Sequence, residues 1–428
     1  MAGRKYEFDP LTVMLYLALV LMGWIAIYAV GSEGGELSVW QTGTEYNRQM
    51  IWIVIAMVVS GVILSLDSRL LEPVSYMAYG IGLLILVFTL VAGKEVNGAK
   101  AWLSVGSIAI QPAEFMKVAT ALALARYMGN PQFSIRNVQN LAVAACIVIL
   151  PALIVILQND TGSALVFGSF LIVFYREGLS PVWPVLLLLV ITVAILTLWK
   201  GVFVGIAIIT GVAVISYLCF IVFIRSTRRN WLRLGILHVL ISLCFVGFSY
   251  SVNFLVADVL APHQQNRIYT LFDPGIDPQG AGYNVIQSKT AIGSGGFFGK
   301  GFNQGSYTKF DFVPKQSTDF IFCTVGEEFG WLGTTVVLFS MFLLVLRIFY
   351  LAEHSKTRHA RVYGYAILSV FSFHVMVNVG MTIGFVPVIG IPLPFFSYGG
   401  SSLLAFSTML FILVNFYSHR MSVLGTKG

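Results

Sequence analysis

Charged residues are scarce in this chain, so those that fall inside or beside apolar runs are the first places to look for chemistry. Glu114 and Lys117 open one such run, in Gln111-Pro-Ala-Glu-Phe-Met-Lys117. Pro112 suits the first turn of a helix, where its missing N–H is not needed. Residues three apart then share a helical face and are near enough to pair. An ion pair at a membrane interface would account for them. Against that stands a cost of roughly 2.5 to 3.5 kcal/mol for a charge at mid-bilayer, which makes buried ionisable residues functional candidates. Asp160, in Gln158-Asn-Asp-Thr-Gly-Ser163, reads as a helix cap for Ser163. Its expected place on the same side as Glu114 and Lys117 gives it further interest.

The stretch from about 258 to 317 carries His263-Gln-Gln-Asn-Arg267 and Asp273-Pro-Gly-Ile-Asp277-Pro-Gln-Gly-Ala-Gly-Tyr283. Two Asp-Pro steps and repeated glycines make turns, and turn formation suffices for Asp273. Asp277 has Arg267, Lys289 and several glycines around it in sequence, and a carboxylate in that setting is suited to act as a general base. Near the end, Ile391-Pro-Leu-Pro-Phe-Phe-Ser-Tyr-Gly-Gly-Ser-Ser402 places Ser397, Gly399, Gly400 and Ser401 at a helix start. Free N–H groups there would suit a diphosphate, although a plain helix start explains the residues almost as well. Asp319, Glu327 and Glu328 are acids at the head of a long apolar run and are expected to line a polar cavity. His238 and His374 stand alone on apolar segments, where packing is the expected role.

The elements that must position these groups are membrane helices. Of 428 residues, 57% are hydrophobic and 11% charged, against roughly 25% charged in an ordinary soluble domain. Apolar runs lie near residues 11–30, 50–66, 76–93, 112–126, 139–157, 162–175, 182–199, 202–224, 236–257, 318–346, 363–385 and 399–418. The expected fold is therefore an all-α polytopic membrane protein with about twelve transmembrane helices. The net charge of +7 is spread over short connections rather than gathered in a basic domain, so no nucleic-acid partner is expected. Cys146, Cys219, Cys244 and Cys323 lie within apolar runs and form neither a disulfide framework nor a zinc spacing.

Orientation follows from the cations. With the N-terminus inside, sixteen of the 26 Lys and Arg residues fall in cytoplasmic connections and nine outside. Five of those nine lie in the long loop, where the positive-inside rule has little force. This places both termini in the cytoplasm and the loop outside. The run from Leu11 to Val30 is longer than a cleavable signal core and reads as a retained first helix. Four sections result: 1–200 with seven helices, an extra transmembrane hairpin at 201–257, the outer loop at 258–317, and 318–428 with three helices and a tail. The loop's apolar stretch Val285–Ile292 predicts a folded cap with an interfacial helix.

These motifs resemble the SEDS family of bacterial shape, elongation, division and sporulation proteins. The resemblance rests on the Trp102 region with Gln111–Lys117, Gln158–Gly162, Asp277–Tyr283 leading to Ile292-Gly-Ser-Gly-Gly296, Thr318–Phe322, Glu327-Glu328 and Pro394–Ser401. It spans about residues 10–200 and 258–418, and Asp273-Pro274 with the Gly293–Gly301 pattern is similar to the elongation-type members. It implies a peptidoglycan glycosyltransferase of the inner, cytoplasmic membrane that polymerises lipid II. The essential outer-loop aspartate falls on Asp277 and the cavity residues on Glu114, Lys117 and Asp160. Arg267, Trp102, Gln111, Ser397, Gly399, Gly400 and Ser401 are the further substrate-binding candidates. A divalent cation, Mg or Mn, is expected beside the diphosphate, and a class B penicillin-binding protein as the cross-linking partner. Two departures stand out: the family usually has Gln-Pro-Asp where this chain has Gln158-Asn-Asp160, and usually ten helices, so residues 201–257 supply an added pair. The rival readings are a lipid II flippase or transporter, with a site near the midplane, a division-type paralogue, and a membrane scaffold, which would need none of these acids.

Overall fold

The computed structural model describes residues 9–31, 43–96, 98–106, 108–223, 228–260, 262–273, 275, 281–310 and 312–419. Helices stand at all twelve expected positions: α1 Pro10–Gly31, α2 Glu45–Ser65, α3 Ser68–Ala92, α4 Pro112–Gly129, α5 Val138–Leu157, the broken pair α6 Thr161–Gly168 and α7 Leu171–Arg176, α8 Val182–Lys200, α9 Val202–Phe223, α10 Arg228–Phe254, and, after the outer loop, Ile321–Glu353, Arg358–Thr382 and Gly400–Ser418. The long loop between α10 and the last three helices contributes α11 Pro262–Tyr269, α12 Ala281–Ser294 and α13 Ser306–Lys309, which makes those last three α14, α15 and α16. Among the described residues, nine helices are long and apolar enough to cross a membrane. The chain is a multi-pass membrane protein.

Between α3 and α4 the chain adds a small antiparallel sheet in the order β1 Lys94–Val96, β2 Ala99–Val105, β3 Ile108–Ile110. This stretch has no sustained alternation, so its strands are not evident in the sequence. The interfacial helix expected at Val285–Ile292 extends over the whole of α12 and buries Val285, Ser288 and Ala291.

The chain divides into two compact units, Ser180–Gly282 and the remainder, and α8 falls in the smaller one with α9 and α10. In the smaller unit, α8, α9 and α10 pack on one another, and Thr197 bonds to Ser249 inside it at 3.1 Å. In the larger unit α4 is buried on every side, against α3, α5, α15 and α16. Its alanines 113, 119, 121, 123 and 125 let neighbouring backbones come close, which is how helices pack where lipid provides no hydrophobic drive. A helix so enclosed can carry Glu114 and Lys117, because neither is offered to lipid.

Charges read as cytoplasmic gather at one end of the larger unit. Arg347 grips Asp9, Arg176 grips Glu353, and Arg358 and Arg361 share Glu177. At the opposite end α14 is broken at Gly330, whose φ of 63° and ψ of −157° leave the helical region. The loop after α12 repairs the break. Lys300 and Gly301 donate to the carbonyls of Glu327 and Glu328, and Trp331 and Leu332 donate to Gly296 and Phe297. Backbone groups freed inside a membrane protein must be satisfied this way.

The acid at the head of that helix has a structural partner set. Glu327 is buried and accepts from Lys300 Nζ at 2.7 Å, from the N–H groups of Tyr307 and Thr308 at 2.9 and 2.8 Å, and from Thr308 Oγ1 at 2.8 Å. It anchors the loop around α13, where the sequence suggested a cavity wall.

Candidate active site

Four chain segments meet at one end of the larger unit, and hydrogen bonds join them. Gln111 precedes α4, Asp160 precedes α6, Ser401 lies in the first turn of α16, and Gln49 lies in the first turn and a half of α2. Gln111 Nε2 donates to Asp160 Oδ2 at 2.6 Å and to Ser163 Oγ at 3.2 Å. Asp160 Oδ1 accepts the N–H of Ser163 at 3.0 Å, so the cap expected from the sequence is present. The same carboxylate also serves a second helix. The N–H of Gln111 donates to Ser401 Oγ at 3.2 Å.

One turn further along α4, Lys117 Nζ lies 2.8 Å from Glu114 Oε1, with the two side chains 0% and 2% exposed. Taking two charges out of water is expensive and is offset only where geometry and further hydrogen bonds are good. Lys117 has such support: His374 Nε2 at 3.0 Å and the face of Phe406 at 5.3 Å from the ammonium. Among the described residues, Glu114 Oε2 has no hydrogen-bond partner. His374, expected only to pack, is thus part of the charged centre. Its partner lies 257 residues away in sequence, and no local pattern reveals such a pairing.

The segment before α16 is more tightly engaged than a row of free N–H groups would be. The N–H of Gly399 donates to Gln49 Oε1 at 3.2 Å, and Ser397 Oγ accepts the N–H of Leu393 at 2.9 Å. A side chain at Gly400 would put its Cβ 2.1 Å from the Trp52 ring, so glycine there permits α2 to pack against the start of α16. Ser397, Gly399 and Gly400 therefore have structural duties of their own. Tyr398 is held at its backbone by the Ser317 carbonyl. Burial, reinforced by Glu45 and partly offset by Arg48, pushes its phenol above the usual range.

Trp102 lies on β2 opposite Lys94, and the same strand donates the Lys100 N–H to the Gln158 carbonyl at 2.9 Å. Arg267 belongs to the smaller unit, its backbone in α11. Asp273 makes its turn, Oδ1 accepting the N–H of Gly275 at 2.9 Å. Asp277 lies outside the described residues. Asn159, where the family pattern has proline, stands at φ 60°. Asparagine tolerates that left-handed conformation and proline cannot adopt it.

Among the described residues the donor set does not fit a resident divalent cation. Both Asp160 oxygens are engaged, Lys117 already occupies the place beside Glu114, and no three His, Cys, Asp or Glu side chains converge among the described residues. The cluster instead holds one ammonium and two carboxylates in fixed positions near the starts of α4 and α6. Such an array is suited to offsetting charge on a polar substrate group.

The model of the FtsW/RodA/SpoVE cell cycle protein family matches residues 10–207 and 202–422. The peptidoglycan glycosyltransferase RodA of Treponema pallidum is 34% identical, over 93% of this chain and 94% of its own. The peptidoglycan glycosyltransferase MrdB of Escherichia coli K12 is 30% identical, over 97% and 95%. A solved peptidoglycan synthase complex, one that coordinates polymerization and crosslinking, contains a chain with TM-score 0.68 and 26% identity, covering 96% of this chain and 98% of that one. This chain belongs to the FtsW/RodA/SpoVE cell cycle protein family.

Proposed function

We propose that this protein polymerises lipid II into glycan strands at the outer face of the cytoplasmic membrane during cell elongation, with Asp277 as general base. The reaction class rests on one observation: a peptidoglycan glycosyltransferase matches 93% of the chain. The chain is accordingly a peptidoglycan glycosyltransferase.

In the reaction, the 4-hydroxyl of an incoming sugar attacks the anomeric carbon of a lipid-linked donor. Its proton passes to Asp277, the bond from that carbon to the diphosphate breaks, and polyprenyl diphosphate leaves. A single displacement inverts the anomeric carbon. Lys117 and Arg267 offset the charge that grows on the diphosphate. Glu114 orients Lys117. Asp160, through Gln111 and Ser163, keeps the starts of α4 and α6 in register. Trp102, Ser397, Gly399, Gly400 and Ser401 shape the approach. We take any Mg or Mn ion to accompany the diphosphate of the substrate.

The flippase reading expects its site near the midplane. Lys117 is five residues past Pro112, or about 7 to 8 Å along α4 at 1.5 Å per residue, in a hydrocarbon core about 30 Å thick. Gln111, Asp160 and Ser401 sit at helix starts on that same side. A site near one surface favours chemistry there over carriage across. Relatives named RodA and MrdB favour the elongation type over the division type. The neighbouring complex supports a partner that cross-links peptides, for which we take a class B penicillin-binding protein. The cation asymmetry supports cytoplasmic termini.

The test is direct. Purified protein given fluorescent lipid II should yield a ladder of glycan strands, with the partner raising yield. Transfer of lipid II across a vesicle bilayer with no strand formed would replace this reading with the flippase.

A further inference from the structure

His374 stands between two groups that can each play only one part. The Pro392 carbonyl, 3.0 Å from Nδ1, only accepts, so Nδ1 carries a proton. The Lys117 ammonium, 3.0 Å from Nε2 and paired with Glu114 at 2.8 Å, only donates, so Nε2 presents its lone pair. A neutral imidazole protonated at Nδ1 alone satisfies both. The ring is fully buried and meets Phe406 edge-on, centroid to centroid 4.8 Å, which fixes its plane. Phe406 also lies under the ammonium at 5.3 Å.

Resting on the reading of this protein as a lipid II polymerase, we propose that His374 is a positioning residue for Lys117. A lysine ammonium is a point charge on a flexible stem of four carbons, and one carboxylate oxygen leaves it free to swing. The imidazole is the second anchor. Through Pro392 it also ties the lysine to the segment Leu393–Gly400, which Ser397 stiffens by accepting the Leu393 N–H at 2.9 Å. The position of Lys117 is thereby linked to the loop that leads into α16. Displacing a charge-bearing group by about 1 Å can cost about 100-fold in rate, so loss of this anchor is expected to show in turnover more than in substrate binding.

Two variants and one spectrum test this. In a lipid II polymerisation assay, His374→Leu should lower kcat at least about tenfold, with KM within about twofold of wild type. His374→Gln can donate to Pro392 and accept from Lys117 as the ring does, and should recover kcat to within about threefold. The wild-type protein with ¹⁵N-histidine in lipid nanodiscs should show a neutral imidazole protonated at Nδ1, absent from the His374→Gln spectrum. A cationic ring or a proton on Nε2 overturns the proposal, whatever the variants' folding. Wild-type turnover in His374→Leu, or equal loss in the Leu and Gln variants, overturns it while leaving the polymerase reading intact. Wild-type protein that forms no glycan at all overturns both.

Discussion

The side-chain amide of Gln111 donates to Asp160 Oδ2 across 2.6 Å, joining the start of α4 to the start of α6. One carboxylate thus caps its own helix and holds the helix that carries Lys117. Asp160→Ala removes both functions and should cost about 1 to 2 kcal/mol for the cap and about 1.5 to 3 kcal/mol for the charge-assisted bond. Asp160→Asn retains the cap and should melt nearer to wild type. Thermal unfolding of the two variants measures this, and an unchanged melting temperature in Asp160→Ala would contradict it.

Lys117 and Glu114 are coupled by burial. Lys117→Met leaves the Glu114 carboxylate enclosed without its partner, and breaking a buried pair from one side costs about 3 to 5 kcal/mol. The double change Lys117→Met with Glu114→Gln removes both charges and should regain most of that stability. Polymerisation should stay absent in both proteins. Recovery of activity along with stability in the double variant would show that the lysine serves the fold only.

Asn159 predicts an unusual result, because the family's usual residue should be harmful here. Its φ of 60° is closed to proline, and its N–H donates to the Ile156 carbonyl at 2.9 Å. Asn159→Pro loses both and should destabilise the turn that presents Asp160, by about 3 kcal/mol on the scale of proline placed in an incompatible position. Asn159→Gly should be close to neutral. A proline variant as stable as wild type would mean that this turn rearranges freely.

Much of this arrangement could be read from residue order because it depends on short-range rules. The twelve apolar runs, the Glu114 and Lys117 spacing, and the Asp160 cap over Ser163 are set by helix periodicity and by hydrogen bonds to near neighbours. What escaped depends on contacts between distant segments. His374 meets Lys117, Glu327 receives the loop around α13, and Gly330 breaks α14 where residues 296–301 come in to bond. At Gly400, read as part of an anion cradle, the close packing of the Trp52 ring was equally hidden. The small sheet before α4 was hidden for another reason: its strands are three to seven residues long, too short for a period to emerge.

In the proposed reaction Asp277 accepts the proton of the attacking hydroxyl. Asp277→Asn keeps the side chain's shape and its turn-forming ability before Pro278, while removing its charge and its capacity to take a proton. Asp273→Asn is the control, since Asp273 has its turn duty through Gly275. The decisive measurement is the initial rate of glycan synthesis from lipid II by purified wild-type, Asp277→Asn and Asp273→Asn proteins, with lipid II binding followed in parallel. The account predicts a fall of about 100-fold or more for Asp277→Asn with binding retained, in line with the usual contribution of a general base, and a small effect for Asp273→Asn. Equal loss in both variants would indicate a folding role for the loop, and undiminished synthesis by Asp277→Asn would contradict the assignment outright.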